Sequence, residues 1–207
     1  MAALSSLLLL IAALTFGGKA MAADLENTIY LDVPAGRVVI EMRCDLAPAT
    51  CAQIKALVRR GFYDGLTFHR VIDGFMAQTG DPKGDGTGGS GHTVKAEFSS
   101  EPFVRGVVGM ARASDPNSGD SQFFIMFAPN HSLDGKYTVW GVVTSGMEYV
   151  DKIKKGDSAR NGAVTNPDKI VKMQVAADVL DADAKAKLPK PKDQPDPSLG
   201  EMPKLHQ

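Results

Sequence analysis

The chain has few of the residues that most enzymes use for chemistry. Two cysteines, four histidines and one tryptophan are spread over 207 residues. The histidines are scattered and Cys44 and Cys51 stand seven apart, which is no ligand spacing for a metal. Lys and Arg total 23 against 24 Asp and Glu, with no basic block, so an electrostatic grip on nucleic acid is not expected. The glycine-rich run "DPKGDGTGGSGHTVKAE" from Asp81 to Glu97 lacks the lysine and hydroxyl residue of a phosphate loop, and no helical pattern follows it. It reads as a flexible surface loop rather than a nucleotide cradle. Ser121, His131 and Asp134 are present, yet no G-x-S-x-G elbow surrounds the serine, which argues against nucleophilic hydrolysis.

Residues 4–16, "LSSLLLLIAALTF", form the one long uncharged apolar run. It has the length of a signal-peptide core and falls short of the roughly 20 residues that span a bilayer. Ala20, Met21 and Ala22 follow as a small-x-small cleavage pattern. The expectation is a signal peptide over 1–22, a mature chain from Ala23 in the periplasm or outside the cell, and no stable membrane insertion after cleavage. At the other end, residues 181–207 are rich in proline and charge with little to bury, and read as a disordered tail. One domain over 23–180 is left between them, long enough for a full core. In an oxidising compartment Cys44 and Cys51 can form a disulfide. They can equally remain independent thiols, since sequence does not fix their Cα separation.

Within the domain, eight short β-rich segments recur: "TIYLD", "RVVIEM", "LTFHRV", "FMAQT", "GVVGMA", "SQFFIMF", "TVWGVV" and "KIVKMQVA". Two stretches have helical spacing instead, "PATCAQIKALVRRG" from Pro48 and "GMEYVDKIKKG" from Gly146, each ending at a glycine suited to a C-cap. Many strands and few helices predict an all-β barrel or sandwich. Closure into a barrel would remove exposed edges, with the helices over the open ends.

Strand alternation sorts the side chains by face. Gln122, Phe124 and Met126 share one face of "SQFFIMF", and Phe123, Ile125 and Phe127 the other. By the same rule Phe68 and Arg70 share a face and His69 lies opposite, so His69 and Arg70 are no natural acid–base pair. Phe68, Phe123 and Ile125 read as core. Arg70, Gln78 and Gln122 do not, because buried polar groups without partners are costly. An arginine held by amides beside an apolar pocket suits a reaction that breaks no bond, donating hydrogen bonds where amide electrons rearrange.

The stretches "FHRVIDGFMAQTGDP", "GVVGMARASDPNSGDSQFFI" and "LDGKYTVWGVV" resemble, in order and spacing, the cyclophilin-type peptidyl-prolyl isomerases, over roughly Asn27–Ala176. The resemblance implies a closed eight-stranded antiparallel β-barrel capped by two α-helices. It implies Arg70 as the catalytic residue and no cofactor. Phe75, Met76, Gln78, Ala111, Gln122, Phe124 and Leu133 then form the proline pocket and its surround, joined by Arg112 and Tyr137. Implied partners are proline-containing peptides and unfolded exported proteins, bound by a monomer. The sequence departs from many eukaryotic members at Arg112, Ser132 and Tyr137, where those carry Asn, Trp and His, and Asp73 replaces a usual proline. Substrate preference should therefore differ, and cyclosporin should bind weakly. A second reading, a binding module that uses the groove without turnover, is separated from the first by an isomerisation assay on a prolyl peptide.

Overall fold

The computed structural model describes residues 24–179. The expected signal peptide, its cleavage point at Ala23 and the tail from 181 lie outside the described residues. All eight expected segments contribute a strand: β1 (Thr28–Val33), β2 (Gly36–Met42), β3 (Arg70–Ile72), β4 (Met76–Thr79), β5 (Val107–Met110), β6 (Phe123–Met126), β7 (Val139–Ser145) and β8 (Lys172–Val175). They pair antiparallel in one sheet of order β3-β4-β6-β5-β7-β2-β1-β8.

The sheet curls into a half-barrel and does not close, which corrects the expected barrel. β3 and β8 remain its two edge strands. The segments that precede them approach each other instead: Gly65 N–H donates to Ile170 O, Phe68 N–H to Asp168 O, and Ile170 N–H to Leu66 O. Between these segments Thr67 and Lys169 form an isolated bridge that does not extend into a ladder. The free edge of β3 is covered by residues 156–163, through Val71 N–H to Gly162 O and Gly156 N–H to Val71 O, so no long edge is left for another chain to pair with.

Helix α1 (Pro48–Arg59) begins with proline at its first turn, where a missing N–H costs nothing. Its start has no side-chain cap of its own. The Glu97 carboxylate supplies one from a distant loop, accepting from Ala49 N–H, Thr50 N–H and Thr50 Oγ. Thr50, Cys51, Ile54, Leu57 and Val58 turn inward, and Gly61 at φ +67° ends the helix. The second helix, α2 (Met147–Val150), is much shorter than its sequence pattern. Lys152 and Ile153 donate to Tyr149 and Val150, tightening the backbone to i−3 bonds. The chain then leaves the helical path so that Gly156 reaches β3.

The two sheet faces carry separate apolar clusters. The inner one includes Ile29, Leu31, Ile40, Phe68, Phe123, Ile125 and Trp140, with α1 packed on it. The outer one contains Met76, Phe103, Val107, Phe124, Met126 and Val139. Alternation along β6 assigns its residues as expected. It fails between Phe68 and Arg70, because Phe68 belongs to the inner core whereas Arg70 lines the outer pocket. Residues 68 and 69 lie outside any strand, between the bridge at Thr67 and the start of β3, so the two-residue period does not apply across them.

Cys44 and Cys51 form a disulfide with their Cα atoms 5.6 Å apart. It ties the end of β2 to the buried face of α1.

Candidate active site

A pocket of about 170 Å³ opens on the outer face, and Arg70, Phe75, Met76, Gln78, Ala111, Arg112, Phe124, Leu133 and Tyr137 line it. Pairing builds it directly. Arg70 stands opposite Gln78 in the β3–β4 register, and Gln78 opposite Phe124 across β4–β6. Three side chains from three adjacent strands therefore lie side by side.

Phe124 forms the floor. Its ring stacks on Phe103 at 5.7 Å and meets Tyr137 edge-on at 5.9 Å. Gly109 makes this possible: a Cβ there would lie 2.5 Å from Phe124 and 2.6 Å from Phe103, so any side chain would displace both rings.

Arg70 is half-buried, and three of its five N–H donors are bound by neutral acceptors. Nε donates to Asn161 O at 3.1 Å, one terminal nitrogen to Gln78 Oε1 at 3.1 Å, and the other to Asn161 Oδ1 at 3.0 Å. Among the described residues no carboxylate pairs with it. Burial lowers its pKa from the usual arginine value, with Tyr137 acting in the opposite direction. The group stays cationic at neutral pH all the same. Its two remaining N–H donors are unspent, beside an apolar pocket.

Gln78 in turn donates to Gln122 Oε1 at 2.9 Å, and Gln122 donates to Gly86 O at 3.1 Å and Gly88 O at 2.8 Å. This amide relay anchors the run from Asp81 to Glu97 to the sheet. Burial pushes the Asp81 carboxyl up, but the backbone N–H groups of Lys83, Gly86 and Gly88 together hold its pKa below the ordinary value. The run is thus tied to the site rather than hanging free. With Ala111, Arg112 and Asp120 it lines a second cavity of about 280 Å³, which shares Gln78, Ala111 and Arg112 with the first. Arg112 stacks over Tyr137 at 4.5 Å and donates to Lys136 O and Ala113 O, forming the ridge between the cavities.

Sequence reasoning missed Asn161. It holds two of the three Arg70 bonds from a left-handed backbone position, φ +53°, a conformation that asparagine tolerates better than most residues. The signal was the Asn-Gly dipeptide at 161–162. Ser121, His131 and Asp134 do not assemble: Ser121 Oγ is buried on Gly80 O, and His131 pairs with Asp134 at 2.9 Å within one exposed turn. Groups of three or more metal-ligating side chains are absent among the described residues.

Known proteins are similar to this chain in sequence and fold. Residues 28–175 match the family model for the cyclophilin-type peptidyl-prolyl cis-trans isomerases. The chain is 59% identical over 171 residues to a probable peptidyl-prolyl cis-trans isomerase of Brucella suis, covering 77% of this chain and 87% of the relative. It is 46% identical over 135 residues to peptidyl-prolyl cis-trans isomerase B of Bacillus subtilis, covering 64% and 94%. Among solved structures, a cyclophilin from Hirschia baltica superposes with a TM-score of 0.68 at 29% identity, covering 75% of this chain and 76% of that one. A cyclophilin-type isomerase from Cryptosporidium parvum, determined in the presence of the dipeptide Ala-Pro, gives 0.65 at 28% identity, covering 72% and 98%. The chain belongs to the cyclophilin-type family and is a peptidyl-prolyl cis-trans isomerase.

Proposed function

We propose that this isomerase acts on X-Pro bonds of exported proteins as they fold, with Arg70 as the donor that stabilises the twisted amide. The rotation barrier of a peptide bond is about 18–20 kcal/mol, and uncatalysed X-Pro isomerisation takes tens to hundreds of seconds. Twisting removes conjugation and localises a lone pair on the prolyl nitrogen. The unspent Arg70 N–H donors supply a hydrogen bond to that nitrogen as it pyramidalises. The cost of orienting them is already met by Asn161 and Gln78. Phe75, Met76, Phe124 and Leu133 hold the ring, while Gln78 and Gln122 position the flanking backbone. The Ala-Pro dipeptide named for the Cryptosporidium relative supports a proline-containing peptide as the occupant here.

The single observation that carries the catalytic reading is an arginine beside an apolar pocket, held among the described residues by amide oxygens alone and paired with no acid there. Arg70→Ala should lower kcat/KM by about 10²–10³, the usual loss for one preorganised donor. Arg70→Lys should recover only part, because an ammonium cannot reproduce the planar fork. Isomerase rate and melting temperature are measured on the same preparation. Near wild-type turnover per folded molecule in Arg70→Ala would sink the mechanism.

The exported setting is supported by the apolar run before Ala23 and by the Cys44–Cys51 bridge, which suits an oxidising compartment. Amino-terminal sequencing of the mature protein should return Ala23, and an intact Met1 would refute it.

A further inference from the structure

Arg70 and Arg112 both line the proline pocket, and no carboxylate lines it with them. Among the described residues neither arginine takes part in an ion pair. We propose that Arg112 is a specificity-determining residue, which makes this isomerase prefer X-Pro peptides that carry a carboxylate side chain next to the proline. The proposal rests on the isomerase site described above and names the substrate class that the site favours.

The guanidinium of Arg112 is fixed in place with its charge intact. Nε and one terminal nitrogen donate to Lys136 O at 3.3 and 3.0 Å, and the other terminal nitrogen donates to Ala113 O at 2.9 Å and Ser114 O at 3.4 Å. All these acceptors are neutral carbonyls. They hold the group over the Tyr137 ring without neutralising it, and one of its five N–H donors stays unspent. A cation already held in one geometry loses little side-chain entropy when a counter-charge arrives, the term that weakens most surface ion pairs.

Its position decides which substrate residue it meets. With Gln78 and Ala111, Arg112 lines both cavities, and Gln122, bonded to Gln78, lines the second. A peptide whose ring fills the proline pocket and whose backbone follows this amide pair passes Arg112 with the first residue beyond the ring, because one extended residue spans about 3.3–3.6 Å. The carboxylates at hand lie elsewhere. Asp120 lines the second cavity and not the first, and accepts from Ser90 N–H, Ser90 Oγ and Gly91 N–H. Asp134, next to the lining Leu133, accepts from Phe103 N–H at 2.8 Å and pairs with His131 at 2.9 Å. The cationic excess therefore belongs to the proline pocket and its ridge, where it attracts an acid beside the ring and opposes a lysine there.

The test measures kcat/KM of the natural chain on two tetrapeptide series, Ala-Xaa-Pro-Ala and Ala-Ala-Pro-Xaa, with Glu, Gln or Lys at Xaa. All are N-acetylated and C-amidated, so the side chain is the only charge. In one series, the one whose variable residue passes Arg112, Glu should exceed Gln by about two- to fivefold, the range of a partly exposed ion pair, and Lys should fall below Gln. Raising ionic strength from about 0.01 to 1 M, which shortens the Debye length from about 30 to 3 Å, should shrink the ratio. Arg112→Gln should bring the Glu-to-Gln ratio towards one, and Arg112→Lys should keep most of it. Each ratio is taken within one preparation, so a lower folded fraction in a variant cancels. Equal rates for Glu and Gln in both series, with the Gln peptides still turned over, would overturn the proposal alone. An undiminished ratio in Arg112→Gln would assign the preference to Arg70 and overturn the role of Arg112. Absence of catalysis on every peptide would instead overturn the reading of the site.

Discussion

Phe123 and Phe124 are chain neighbours of the same residue type and nearly the same burial, yet they belong to different parts of the molecule. Phe123 points inward, edge-on to Tyr63 and Trp140 at 5.6 and 5.4 Å. Phe124 points outward and floors the pocket against Phe103 and Tyr137. One strand thus divides the protein into a face that holds the fold and a face that carries the candidate site. The division has a physical cause: the inner cluster is covered by α1 and the curl of the sheet, whereas the outer one is left partly open, and apolar surface left open in this way is where a binding site is expected.

Paired truncations should split along this line. Phe123→Ala should cost about 3–5 kcal/mol of stability, with kcat/KM per folded molecule near that of the natural chain. Phe124→Ala also opens a void, but in addition removes the surface on which a prolyl ring rests. Burying such a ring contributes about 1.5–3 kcal/mol, so kcat/KM per folded molecule should fall roughly ten- to a hundredfold. Denaturant melts and isomerase rates on matched samples provide both numbers. Equal activity losses in the two variants would erase the distinction between the faces.

The disulfide sharpens the comparison from the structural side. It closes a loop of seven residues onto the buried face of α1, and its partners do not line the pocket. Replacing both cysteines by alanine should lower stability by roughly 2–3 kcal/mol on the chain-entropy account, with kcat and KM unchanged. A shift in KM without a change in stability would mean that the bridge acts on the site.

How much of this was legible before the structure divides in the same way. The inner face was read well, since local patterns suffice there: alternation and β-rich composition give all eight strands, and helical spacing with a proline at the start and a glycine at the end gives α1. Sheet closure was not readable. Whether β3 and β8 meet depends on the register between segments a hundred residues apart, and the isolated bridge from Thr67 to Lys169 is a tertiary compromise. The same break in pairing at 68–69 defeated the assignment of Phe68 and Arg70 to one face. On the outer face the polar residues stood out because Arg70, Gln78 and Gln122 had no reason to sit among apolar neighbours, and resemblance gave the pocket. Asn161 escaped because it acts from 91 residues away through a carbonyl and an amide. The run from Asp81 to Glu97 was taken for a free loop because Asp81, Asp120 and Gln122 anchor it by contacts that leave no periodic trace.

The smallest expected effect comes from His69, which lies between the two faces. It is 8% exposed, and neither ring nitrogen has a hydrogen-bond partner among the described residues. Burial lowers its pKa from the ordinary 6.5, outweighing Asp81 and the nearby Thr67 backbone, which pull the other way from beyond good hydrogen-bond geometry, while neighbouring Arg70 adds to the lowering. The folded protein therefore holds the neutral ring, and the unfolded chain takes up its proton first as pH falls. Where the unfolded state binds more protons, stability rises with pH. The His69 contribution is complete above about 6.5 and is lost below it, at no more than about 1.4 kcal/mol per pH unit for a single proton. The depressed carboxylates Asp81, Asp134 and Asp151 act lower, below their ordinary 3.8, and leave the window from 6.5 to 5 to the histidine. Melting temperature should fall between pH 7.5 and 5.5 in the natural chain and stay nearly flat in His69→Gln. Parallel slopes in the two proteins would show that the ring finds a partner for its proton, and that the boundary between the faces is less dry than the geometry implies.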